Sequence, residues 1–232
     1  MGAGLRLAQY LANRSIWVDE AYIALNVIER SFGGLLEPLF HNQAAPIGYL
    51  WASKLAVILF GTSEYALRLV PLAAGIVSVV LFMFVARRIL APDVVPWALG
   101  LFAVSDRLIY YASEVKQYSS DVAVALAIVL CALSLMSDEL SWKRVGVLAA
   151  VGAVGIWMSH PAIFLAAGGG LVAFGFTAAR RDWPRLTRIA LTGAIWASSF
   201  LVVFVVSLNR LTQNPKHLRY WGSAFMPMPP VF

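Results

Sequence analysis

The sequence predicts an all-α protein, a polytopic bundle of membrane-spanning helices with amphipathic helices lying at one surface. Three observations predict it. Hydrophobic residues make up 60% of the 232 positions and charged residues only 13%, where a soluble domain carries about 25% charged residues. About six apolar runs approach the ~20 residues that a spanning helix needs. Basic pairs fall between those runs, in every second gap. Mean hydropathy is +0.76. The net charge of +6 is dispersed rather than gathered in one patch, so it gives no nucleic-acid footprint. The single Cys131 sits in an apolar run and excludes a disulfide framework within the chain.

Residues 1–14 carry Leu5, Leu7, Tyr10 and Leu11 with Arg6 and Arg14, which reads as an interfacial helix at most. This opening is too short and too interrupted for a signal peptide. Asp19 and Glu20 follow, two adjacent acids in an apolar setting. They suit the first turn of a short amphipathic helix over Ala21–Arg30, where carboxylates offset the helix dipole. A polar loop from Gly33 to Gln43, including His41, leads to the apolar run Pro46–Phe60, closed by Gly61. That run is short and holds Lys54, so it is expected to lie flat or dip partway, with Lys54 snorkelling. Spans are expected over Leu67–Val85, Val94–Tyr110, Ser119–Met136, Val145–Met158, Ala162–Ala178 and Ile189–Leu208. The chain thus divides into an acidic external segment (1–66), the bundle (67–208) and the start of another external loop (209–232).

Arg87-Arg88, Lys143-Arg144 and Arg180-Arg181, with Arg185 and Arg188, occupy alternate gaps. The positive-inside rule puts those gaps in the cytoplasm. Asp19, Glu20, His41, Gln43, Lys54, Glu64, Arg68, Glu114, Lys116, Tyr118, Asp121, His160 and the tail residues Lys216, His217 and Arg219 then gather outside. Tyr110 to Asp121 is the densest polar stretch. If a helix begins near Glu114, then Glu114, Tyr118 and Asp121 share one face, with Asp121 about a turn into the membrane. An ionisable group there points to function and requires a partner, for which Lys116 and Arg68 are the candidates. A salt-bridged helix start is the plainer alternative. Glu64 and Arg68 read as a helix-surface pair. His160 precedes Pro161 at a helix break, either touching a ligand or serving as a polar tip. Gly168-Gly169-Gly170 reads as close helix packing rather than a phosphate loop.

Four stretches together resemble the polytopic glycosyltransferases of the GT-C fold, family 39 type, the superfamily of protein O-mannosyltransferases and aminoarabinose transferases. They are Trp17-Val18-Asp19-Glu20, Gln43-Ala44-Ala45-Pro46-Ile47-Gly48-Tyr49-Leu50, Gly61 to Pro71, and Tyr111-Ala112-Ser113-Glu114-Val115-Lys116-Gln117-Tyr118. The likeness rests on their order over residues 15–125. The family places a full spanning helix before its Asp-Glu loop and continues through further helices, so this chain is expected to be a fragment or a shortened relative. The family's proline pair is here Ala45-Pro46, and Gln43 stands where some members carry a phosphate-binding lysine.

The resemblance implies an inverting transfer of a sugar from a polyprenyl-phosphate donor to a hydroxyl of a protein, lipid or glycan acceptor. It implies the external face of a bacterial plasma membrane. Asp19 would be the base, with Glu20 and Glu114 beside it in the catalytic group. Lys116, Tyr118, Asp121, Gln43, His41, Arg68 and His160 would bind substrate. A divalent cation, magnesium or manganese, on Asp19, Glu114 or Asp121 is the alternative to Lys116 facing the departing phosphate. A transporter half and a non-catalytic scaffold are the competing classes. Paired broken helices in an internal repeat would favour a transporter, and no such repeat is found.

Overall fold

A computed structural model describes residues 1–137 and 140–209; the expected tail loop with Lys216, His217 and Arg219 lies outside the described residues. The described residues form ten α-helices and no strand. They are α1 (Gly2–Leu11), α2 (Val18–Glu29), α3 (Ile47–Phe60), α4 (Glu64–Ile89) and α5 (Val95–Val104). The rest are α6 (Asp106–Tyr111), α7 (Tyr118–Leu135), α8 (Trp142–Met158), α9 (Ala162–Ala179) and α10 (Trp183–Val203), which runs on through a π-helical turn at Phe204–Leu208. The molecule is an all-α bundle, and its composition makes it an integral membrane protein.

Among the described residues, four helices are long and apolar enough to cross a membrane: α4, α7, α9 and α10 with its extension to Leu208. The remaining two expected spans are shorter. The 17 residues of α8 reach about 25 Å, short of the ~30 Å hydrocarbon core. Val94–Tyr110 is not one helix: it breaks at Ser105, whose ψ of 115° leaves the helical region. Neither glycine nor proline marks this break in the sequence.

Polar caps set several starts. Ser63 Oγ accepts from Ala66 N–H, Ser141 Oγ from Arg144 N–H, and Asp182 Oδ1 from Arg185 N–H. At the opposite end of α7, Arg88 donates to Ser134 Oγ at 2.7 Å, and Arg185 donates to the carbonyls of Leu135 and Ser137. These arginines meet the negative end of the α7 dipole. The basic gap residues therefore sit together at one end of the bundle, and Arg185 is a buried cap rather than a plain surface anchor.

Small residues let the helices close up. A Cβ on Gly152 would lie 2.2 Å from the Trp196 ring, whose Nε1–H donates to the carbonyls of Leu148 and Ala149. Of the three consecutive glycines, Gly169 meets Ala132, while Gly168 and Gly170 face open space. Packing thus explains one of them.

Two elements at the polar end differ from expectation. Rather than lying in the interface, α1 runs antiparallel along α4: Gly2 packs on Val79 and Ala103, Arg6 reaches Gly75, and Tyr10 Oη donates to the Tyr65 carbonyl. Arg6 explains this placement. It is wholly buried and donates to the Ala103 carbonyl, a group that the break at Ser105 frees from helical pairing. As for α3, both its ends lie at the same end of the bundle, as expected for a run that does not cross. Gly48 presses on the Trp157 carbonyl at the close of α8, and Gly61, at φ 84°, turns directly into α4. Leu55, Ile58, Leu59 and Phe60 leave an apolar face outward. Lys54 does not snorkel; its Nζ donates to the Ile28 carbonyl at 3.0 Å, near the C-terminus of α2.

Candidate functional site

The two acidic segments meet at the end of the bundle opposite the arginines. Asp19 Oδ2 lies 2.8 Å from Lys116 Nζ, and Glu20 Oε2 accepts from Val115 N–H at 3.0 Å. Asp19 and Glu20 occupy the first turn of α2, so neighbouring positions point to different surroundings. The Asp19 carboxylate is 52% exposed and that of Glu20 is wholly buried.

Glu20 is saturated. Besides the Val115 amide it meets Arg14 at 2.8 Å and Arg68 at 3.5 Å. Arg68 is itself fully buried, pairing with Glu64 one turn away and donating to Asn13 Oδ1 at 3.2 Å. These two side chains weld α2, α4 and the 112–117 loop together. Neither is placed to touch a substrate, which is a correction to the roles expected for Glu20 and Arg68. The Glu64–Arg68 pair is more than a surface contact for the same reason. Arg14 was not singled out in the sequence; its guanidinium also stacks 4.3 Å from the Tyr110 ring centre.

Lys116 is nearly buried and is held on two sides, by Asp19 and by Gln43 Oε1 at 2.9 Å. An ammonium has three donors, so one remains for an anion. Gln43 arrives from a strapped loop. Asn26 on α2 accepts from Phe40 N–H at 2.8 Å and its Nδ2 reaches the Phe40 carbonyl at 3.4 Å. His41 and Asn42 then take left-handed backbone conformations, φ 58° and 51°, uncommon outside glycine. The exposed His41 ring stacks on Tyr22 at 4.1 Å. Tyr22 is one turn from Asp19 on α2, so His41 stands beside the Asp19–Lys116 pair rather than in contact with it.

Glu114 lies in a turn before α7, which begins only at Tyr118, so it does not share a helical face with Tyr118 and Asp121. It is 8% exposed, and its Oε2 has no hydrogen-bond partner. Burial first, then the charge of Glu20, raises its pKa above the usual carboxylate range, with Arg14 and Lys116 acting in the opposite sense. Tyr49, also unforeseen, is fully buried on α3 near Glu20, Glu114 and Asp121; burial and those charges push its phenol up and keep it neutral. Tyr118 packs on Tyr111 at 4.8 Å. Asp121 sits at the first turn of α7, within reach of Ser159 at the end of α8. His160 adjoins Ser159; burial lowers its pKa, and its Nε2 is unpartnered. No contact joins His160 to Asp19 or Lys116 among the described residues.

Among the described residues no three His, Cys, Asp or Glu side chains converge as a metal site. Asp19, Glu114 and Asp121 therefore do not form a ready ligand set, and Asp19 already has an ammonium partner.

The architecture and this site define the class: an integral-membrane helical bundle with a carboxylate–ammonium pair at one end. No family model, no curated protein and no solved structure matches the chain.

Proposed function

We propose that this protein is a membrane glycosyltransferase of the polyprenyl-phosphate-dependent kind, with Asp19 as base and Lys116 facing the phosphate. One observation supports this above the others: a half-exposed carboxylate lies 2.8 Å from a nearly buried ammonium that keeps a donor free. In the reaction, the acceptor hydroxyl gives its proton to Asp19 while its oxygen forms a bond to the anomeric carbon. The bond from that carbon to the phosphate oxygen breaks, with inversion. The leaving phosphate gains charge as it departs, and Lys116 stabilises it in a setting poor in water. No general acid is needed, because a phosphate leaves as a stable anion.

Orientation follows from charge. Arg88, Arg185 and Arg188 cluster at the far end of the bundle, which the positive-inside rule makes cytoplasmic. The Asp19 end then faces outward. Glu20, with Arg14, Arg68 and the Val115 amide, fixes the start of α2 against the loop that carries Lys116.

The test is sugar transfer from polyprenyl-phosphate sugars by the protein in proteoliposomes, compared with an Asp19→Asn variant. Turnover is expected to fall by at least ~100-fold, the usual contribution of a general base, with the fold retained. Undiminished turnover by Asp19→Asn would remove the proposed base.

A further inference from the structure

Helix packing leaves part of the triple glycine in α9 unexplained, because Gly170 faces open space. Gly170 has a counterpart on α10. A groove of about 330 Å³ separates the two helices, lined by Ala166, Gly170 and Phe174 on one side and by Ile189, Gly193 and Ala197 on the other. A Cβ on Gly193 would likewise meet nothing within 4 Å. The two helices are joined by the short turn Arg180-Arg181-Asp182. Phe174 and Ile189 lie about 9 Å along their helices from that turn. Arg180 and Arg181 are exposed, and neither forms an ion pair among the described residues. Asp182, the acid beside them, is engaged in capping α10. The backbone of the turn adds a second sign. Arg181 N–H donates to the Ala178 carbonyl and Asp182 N–H to that of Thr177, the Schellman pattern that usually places glycine at the left-handed position. Here that position, at φ 56°, is Arg181. An arginine carries backbone strain there that glycine would avoid, so its guanidinium has a use that offsets the strain. Thr177 continues the Ala166–Gly170 row along α9; it is buried, and its hydroxyl has no partner among the described residues.

We infer that the α9–α10 groove and its arginine turn form a binding site for an anionic phospholipid, with one acyl chain in the groove and the phosphate on Arg180 and Arg181. The site is independent of the chemistry at Asp19, which lies at the other end of the bundle. An acyl chain gains little by leaving the bilayer for an equally apolar groove. The groove therefore fixes the position of the lipid, and the charge of the turn carries the selectivity. Arginines beside a membrane surface attract anionic headgroups, and basic recesses between helices on the cytoplasmic side hold them. Small residues on adjacent helices also admit a further helix. A second copy inserted in the same sense would set its own arginine turn in the same leaflet, where like charges oppose close approach. Charge complementarity favours the lipid.

Native mass spectrometry of the protein with phosphatidylglycerol tests this, with phosphatidylcholine of the same acyl chains and inorganic phosphate as comparisons. Phosphatidylglycerol is expected to bind at least about tenfold more tightly than either, a difference of ~1.4 kcal/mol. Arg181→Gly suits the left-handed backbone, so the fold is retained; combined with Arg180→Ala it should erase the preference over phosphatidylcholine. Gly193→Leu places a side chain in the groove where it meets no neighbour, and is expected to weaken phosphatidylglycerol by about tenfold. Gly146→Leu, on α8 with equally open surroundings, should leave binding unchanged. Equal binding of the two phospholipids, or indifference to Gly193→Leu, would show an ordinary annular-lipid surface and overturn the inference. Inorganic phosphate binding as tightly as the lipid would mark a free-phosphate site, and a lipid-free dimer abolished by Gly193→Leu would give the groove to a second copy; either overturns it. Asp19→Asn should bind phosphatidylglycerol as the parent does, so failure of this site and failure of the proposed base are read separately.

Discussion

Asp19 and Glu20 are neighbours in the chain with opposite fates, and the difference is measurable. Glu20 is fully buried between Arg14, Arg68 and the Val115 amide. Glu20→Gln leaves the buried Arg68 guanidinium with Glu64 as its carboxylate partner and Asn13 Oδ1 as its acceptor, and breaking such a buried pair costs about 3–5 kcal/mol. Thermal unfolding in detergent should show that loss. Asp19→Asn removes a half-exposed pair and should stay within about 1 kcal/mol of the parent, so the two variants separate a structural acid from the proposed base. Glu114 gives a pH signature. Its native pKa is raised by burial and by Glu20, while the unfolded chain releases the proton near the ordinary glutamate value of about 4.3. Between the two pKa values the native state binds more protons, so stability falls as pH rises. Glu114→Gln is expected to flatten that fall, and the advantage of the variant should grow with pH above ~4.3, read as denaturant midpoints. The sequence brought Asp19, Glu114, Lys116 and Gln43 into one neighbourhood. It could not show that Glu20 is walled in, because its amide partner is 95 positions away and burial of that kind leaves no local pattern.

The element scale turns on close approach and on breaks. The start of α3 carries Gly48, where a Cβ would lie 2.7 Å from the Trp157 carbonyl oxygen. Backbone lines both sides of that contact, so Gly48→Ala should cost about 1–3 kcal/mol through overpacking and disturb Gln43. Gly168→Ala meets open space and should gain roughly 0.5–1 kcal/mol from helix propensity; melting temperatures of the pair check both. The long apolar helices were plain in the sequence because apolar composition over 18 or more residues is a strong signal, as in α4 and α7. The break at Ser105 was hidden, since the backbone change there is compensated from α1, through Arg6 and the Ala103 carbonyl. For the same reason the upright packing of α1 was not legible: its 10 residues are too few to read as a span, and its partners are remote.

For the molecule as a whole, the polarity of the two ends is the feature to test. Asn42 at the Asp19 end and Arg181 at the arginine end are both exposed. Single cysteines at these sites, in a Cys131→Ala background, should react with a membrane-impermeant maleimide from opposite sides of sealed vesicles, Asn42→Cys from outside. Labelling of both from one side would contradict the orientation proposed for the Asp19 end. The sequence pattern alone supplied this orientation through its basic pairs. The number of crossings was less legible, because hydropathy does not distinguish a short helix supported by neighbours from one that traverses the bilayer unaided.

The strap from Phe40 to Gln43 has a kinetic meaning. Asn26 grips Phe40 through both its amide oxygen and its amide nitrogen, and two left-handed residues follow. A segment pinned this way has already surrendered its conformational freedom before any ligand arrives. Association of the proposed lipid-linked donor at Lys116 should then proceed in one kinetic phase, at a rate governed by diffusion within the bilayer rather than by loop closure.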